Sequence, residues 1–133
     1  MTQATDWLEV ELRKHMFRTG SFTKPTDIDI ALFTAAPGET GGGTEVSGGS
    51  YARVARDPLD ANWSAASATD GLTDNVAAIT FPSPTANWGV VTSFGIYFDS
   101  NLAIYDNLGA NKTVNNGDAA PAFAIGALSV TVG

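Results

Sequence analysis

The stretch from Trp88 to Leu108 constrains the fold more than any other part of the chain. Val90, Thr92, Phe94, Ile96 and Phe98 alternate with Val91, Ser93, Gly95, Tyr97 and Asp99. A period of two puts successive side chains on opposite faces of a pleated strand, whereas a helix groups residues three and four apart. Asp99-Ser100-Asn101 reads as a turn, and Leu102 to Leu108 pairs back across it as an antiparallel hairpin.

Shorter runs of the same kind flank this hairpin. Ile28, Ile30 and Leu32 point one way and Asp29 and Ala31 the other, which predicts a half-buried strand ended by Ala35-Ala36-Pro37. Tyr51 to Arg56, Val76 to Phe81 and Phe123 to Val132 are expected as further strands. Pro82 and Pro84 close the second of these, and the turn Asn115-Asn116-Gly117-Asp118 precedes the third. Asp57 to Asp74 reads as irregular, with Trp63 its large apolar anchor. Six or seven short strands spaced by turn residues, and not interleaved with helices, predict an antiparallel β-sandwich rather than a parallel α/β sheet.

One helix is expected, ahead of all the strands. Thr5 and Asp6 are good caps, Glu9 stands three residues after Asp6, and Leu8, Leu12 and Met16 recur at a spacing of four. Acids early (Glu9, Glu11) and bases late (Arg13, Lys14, Arg18) complement the helix dipole, and Gly20 is a natural stop. These signals place the helix at about 7–19 and the sandwich at about 27–133, within a single domain of 133 residues. Between the first two strands, Gly38 to Gly49 holds six glycines in twelve residues. That density predicts a long loop that is mobile or ordered by a partner.

Composition narrows the function classes. The formal net charge is −7, and beyond Arg56 seven acids face a single base, Lys112. Such a field disfavours nucleic acid and anionic membranes, which need clustered Lys and Arg. No apolar run reaches the ~20 residues that span a bilayer, and Met1 to Glu11 lacks the pattern of a signal peptide or anchor. With no cysteine, disulfides and thiolate metal sites do not arise. The charged fraction, 16%, is well under the usual quarter, which suits either a surface covered by a partner or one that relies on Ser, Thr, Asn and Gly, both common inside assemblies.

Enzyme chemistry is not expected. His15 is the lone histidine and has no Ser or Cys arrangement around it in the helix. No nucleophile-elbow, zinc-protease or P-loop pattern occurs, and the glycine loop lacks the lysine and following helix of a phosphate cradle. Asp27 with Asp29, and Asp57 with Asp60, do not match a calcium loop. No cofactor or metal is expected, and the acids read as a solvated surface. Trp7, Trp63, Trp88, Tyr51, Tyr97 and Tyr105 suit core or interface packing, with a sugar platform as the alternative use.

Three segments carry a resemblance. They are the Asp6-Trp7-Leu8 helix start, the run Ile30 to Pro37 followed by Gly41 to Arg53, and the run Ile79 to Pro82 continued by Trp88 to Ile96. With the closing Gly126-Ala127-Leu128, they resemble a small phage protein family often labelled tail fibre protein, over nearly the whole chain. The resemblance implies a place in the virion and no catalytic residues. A fibre shaft needs repeats, and the chain has none, so a compact accessory subunit is expected. It would decorate or cement the capsid or associate with the tail or collar, with a tail-fibre or baseplate module that binds a receptor or glycan as the alternative.

Its expected partners are major capsid or tail proteins and further copies of itself, a trimer being one symmetry; a host surface glycan is a further candidate. The residues expected at such an interface are Trp7, Leu8, Leu12 and Met16 on the helix, with Tyr51, Arg53 and Arg56 after the glycine loop. The two arginines bracket Val54 and would pair with a partner's carboxylates.

Overall fold

The computed structural model describes residues 2–132. In chain order these form β1 (Gln3–Ala4), α1 (Asp6–Phe17), β2 (Ile28–Ala35), β3 (Thr44–Glu45), β4 (Val54–Ala55), β5 (Thr73–Asp74), β6 (Ile79–Thr80), β7 (Gly89–Phe98), β8 (Asn101–Val114), β9 (Ala122–Phe123) and β10 (Ser129–Val130). The alternating stretch is the spine: β7 and β8 pair antiparallel from Phe98↔Asn101 to Gly89↔Val114. At the turn, Asp99 has φ 53, a left-handed conformation that Asp and Asn tolerate better than most residues. The Asp99 carboxylate accepts from the N–H groups of Asp27 and Thr26 and from the Thr26 hydroxyl. These bonds, that to Asp27 foremost, hold its carboxyl below the usual range. They also start β2 at the right place to pair with the other side of β7, from Ile28↔Phe98 to Phe33↔Ser93.

The main sheet thus runs β1-β8-β7-β2, and the outer edge of β2 is shared by β4 at Asp29–Ile30 and β3 at Phe33–Ala35. Two short antiparallel ribbons, β5 with β10 and β6 with β9, form the covering layer. The core lies between them. Ile28, Ile30 and Leu32, Trp88 immediately before β7, Phe94 and Ile96, and Ile104 come from the sheet, and Ile79, Phe81 and Leu128 from the cover; all are buried. Each such side chain contributes about 1.5–3 kcal/mol. The fold is mainly β, antiparallel and sandwich-like with one N-terminal helix, as the periodicity predicts.

The second face of the sheet is closed as well. Ala31, Phe33 and Ser93 are all 2% exposed or less, and Gly95 is what permits it. A Cβ there would lie 2.7 Å from Leu102 Cδ1 and 2.9 Å from Phe33 Cε2, so those side chains meet only over a glycine.

Several boundaries differ from the sequence expectation, each for a local reason. The strand expected over Tyr51 to Arg56 is only Val54–Ala55, because Tyr51 turns its ring into the core. That over Val76 to Phe81 is only Ile79–Thr80, the preceding carbonyl of Ala77 being engaged by the Asn75 side chain. The last strand is broken by a turn at Gly126 (φ 74), so its two halves join different ribbons. The helix spans 6–17 and stops at Arg18, whose extended backbone still donates its N–H to Lys14. Gly20 lies beyond this cap; its Cβ position is 3.2 Å from Lys14 Cβ.

Candidate functional site

The seven residues expected at an interface fall into two groups. In the first, Thr5 caps the helix and fastens it to the sheet: its N–H donates to the Ala103 carbonyl (2.9 Å) and its hydroxyl to that of Leu102 (2.7 Å). Leu8 is buried at 2%, and Trp7 and Leu12 pack against the core. Trp7 meets Phe22 edge-on at 6.4 Å, and Phe22 in turn meets Phe98. These three residues expected at an interface thus pack the helix onto the chain's own core. Met16 is different: it is 62% exposed, beside Phe17 at 79%.

The second group is built around the glycine loop, and here the expected partner carboxylate belongs to the chain itself. Arg53 forms a two-pronged pair with Glu45, Nε to Oε1 and Nη2 to Oε2, both at 2.8 Å. Its guanidinium carbon also stands 3.6 Å above the centre of the Tyr97 ring. Tyr51 completes the cluster. Its ring stacks on Phe81 and meets Trp88 edge-on at 5.4 Å, while its hydroxyl donates to Glu45 Oε1 (3.0 Å) and accepts the Leu32 N–H (2.9 Å). That N–H lies on the edge of β2 between the stretches covered by β3 and β4, so the tyrosine fills the gap in the ladder.

The electrostatics follow from the geometry. Burial by itself would push the Glu45 carboxyl up, but the bonds from Arg53 and Tyr51 and the arginine's charge prevail and hold it below the usual range. The bond to Glu45 raises Arg53 further, and burial raises the Tyr51 hydroxyl well above the tyrosine range. All three groups are fixed in the protonation states that favour the latch.

The loop between them is ordered from within. Gly38 and Gly41 bond each other's backbones at 2.9 Å, Val46 is buried at 4%, and the Trp88 indole donates to the Gly49 carbonyl at 2.9 Å. A mobile or partner-ordered segment is therefore not what the six glycines make. Arg56, the last expected residue, donates to the carbonyls of Ala55 and Ala78, while its own carbonyl accepts from the Trp63 indole. Its Nε is buried without a hydrogen-bond partner.

No candidate catalytic centre emerges from these groups. His15 Nδ1 accepts from the Phe22 N–H at 3.2 Å, which fixes the chain leaving the helix. Among the described residues, no three His, Asp or Glu side chains converge as metal ligands, and no helix is long and apolar enough to cross a membrane. Of the aromatics considered for a sugar platform, Trp88 is 6% exposed and Tyr51 is packed against it, so the two present no open face together.

The sequence reading missed an apolar groove of about 630 Å³ where the β5–β10 ribbon stands off the main sheet. Its floor includes Ile96, Ile104 and Phe98, and its walls include Leu59, Trp63 and Val132. The segment Asp57 to Asp74 supplies much of it, and that segment has no periodicity from which a groove could be read.

A family model described as podophage GP4 fiber I protein gp80 matches residues 3–131, from β1 through the last ribbon. No curated protein matches the chain.

Proposed function

Because the chain belongs to the podophage GP4 fiber I protein family, and so is a structural component of the virion, we propose that it is a non-catalytic module of the tail-fibre apparatus, held in place by neighbouring virion proteins. The family match over residues 3–131 carries this reading. It favours the tail over a capsid decoration or cement role, the two locations that the sequence reading leaves open for an accessory subunit. Within the fibre the chain suits a compact module better than a shaft. Its longest strand has fourteen residues and folds back on β7 within the chain, and there is no internal repeat to propagate a rod.

The non-catalytic part rests on how the reactive groups are used. Arg53, Glu45 and Tyr51 seal the edge of β2, His15 fixes the helix exit, and Arg56 ties the β4 region to Ala78. An exposed edge of a long strand invites unwanted pairing, so a sealed one suits a protein that assembles through chosen surfaces.

The test is electron microscopy of purified phage particles labelled with an antibody against the folded chain. Label on the tail or its fibres is expected; label distributed over the capsid shell refutes the tail assignment and returns the protein to a decoration role.

A further inference from the structure

We propose that the exposed end of α1, Met16 and Phe17, seats in the apolar groove beside the β5–β10 ribbon of a second copy of the chain. The knob is unusual for a surface: two large apolar side chains adjacent in sequence, 62% and 79% exposed, at the end of a helix whose Trp7, Leu8 and Leu12 are docked. The groove is its counterpart, an apolar depression with Leu59 and Val132 at its rim, themselves 58% and 60% exposed. Single apolar residues on a surface need no explanation, but a protruding pair and an apolar depression on one chain are complementary shapes.

Charge points to a second copy as the occupant. Along the helix, Glu9 pairs with Arg13 and Glu11 with Lys14, which leaves Arg18, next to Phe17, with no ion pair among the described residues. Asp60 lines the groove, and Asp57 precedes it across Pro58, in the half of the chain where acids outnumber bases seven to one. An incoming helix end would set Arg18 against these acids. Lys24, also lining the groove, would face the unpaired carbonyls of the helix's last turn, which attract cations.

Knob and groove are different surfaces, so the contact is either exchanged between two copies about a two-fold axis or runs head-to-tail into a ring or an open chain, according to the rotation it imposes. Phe17 alone buries on the order of 150–250 Å², and a specific interface takes roughly 1,200–2,000 Å², so the groove rims and the flanks of α1 join the contact.

The experiment uses the purified full chain in analytical ultracentrifugation, with two variants. One removes the knob (Met16→Ser with Phe17→Ser), the other the groove rim (Leu59→Asp with Val132→Asp). All four positions are more than half exposed, so circular dichroism and thermal melting should match the wild type. The wild type is expected to self-associate and each variant alone to sediment as a single chain. An equal mixture of the two variants should recover a complex containing both, since each supplies the half the other lacks. A wild type that stays monomeric overturns the proposal, including the case where another virion protein is found to bind Phe17. So do variants that associate like the wild type, or a mixture that stays monomeric. The tail assignment is tested separately by the labelling above and can stand or fall without this contact.

Discussion

The main sheet and the layer that covers it are held together in different ways. β7 and β8 are joined at nine registered positions, whereas each covering ribbon is joined at two. In the sheet, ladder bonds and apolar faces share the load among many neighbours. The ribbons are too short for that and depend on single polar side chains set at fixed points. Asn75 is the clearest: 1% exposed, its amide donates to the carbonyls of Ala77 and Ala124 and its oxygen accepts the Leu128 N–H, all at 2.9 Å. Asp74 does the same at smaller scale, accepting from Ser129 while its own N–H donates to Ser64. A long strand tolerates loss; a two-residue ribbon does not.

Breaking Asn75 is the strongest challenge to that contrast. Asn75→Ala takes the partner from one buried group, the Leu128 N–H, and from two part-buried carbonyls, Ala77 and Ala124, and is expected to cost about 2–4 kcal/mol, read from the urea unfolding midpoint. Ile96→Val, at the centre of the sheet, should cost about 0.5–1.5 kcal/mol. Equal losses at the two sites would erase the distinction.

The glycine loop gives the next comparison. Gly43 has φ 75, and a Cβ there would lie 2.7 Å from the backbone at Ala35 O and Pro37 N; Gly48 has φ 72 and open space. Gly48→Ala should cost only the left-handed penalty of about 1–2 kcal/mol. Gly43→Ala adds a clash with backbone that cannot turn aside, for a total of about 2–4 kcal/mol. Thermal melts of the two variants side by side decide whether the loop is built or merely permitted.

The Glu45–Arg53 latch is the smallest effect and depends on pH. With the Glu45 carboxyl held below the ordinary 4.5, its contribution is present above that value and lost as the pH falls through the lowered one. Both side chains keep some exposure, so roughly 0.5–1 kcal/mol is at stake. Melting curves from neutral pH down into the acid range should show the wild type losing stability relative to Glu45→Gln. Parallel curves would mean that the pair contributes nothing.

What the sequence reveals of the fold follows the same division. The hairpin is legible because a period of two is a local signal, and the helix start is legible because Thr5 and Leu8 are local signals too. Met16 shares the spacing of Leu8 and Leu12, yet it is 62% exposed where they are docked, a difference that periodicity does not carry. Asn75 and Leu128 are 53 residues apart, and no pattern connects them. For the same reason the last strand looks continuous in the sequence although its halves serve two ribbons. In the glycine loop, composition told what the backbone is free to do but not that Glu45 and Val46 anchor it. The block Gly41 to Arg53, which carries most of the resemblance to phage fibre proteins, is also the segment that seals β2 through Glu45, Tyr51 and Arg53. The residues chosen as partner-facing were thus mostly residues that hold the chain to itself.

The number of copies in each particle tests the tail-fibre reading most directly. Quantitative mass spectrometry of purified virions, referenced to the major capsid protein, is expected to find a small multiple of the tail's symmetry, far below the capsid count. Hundreds of copies, in a fixed ratio to the capsid protein, would contradict it.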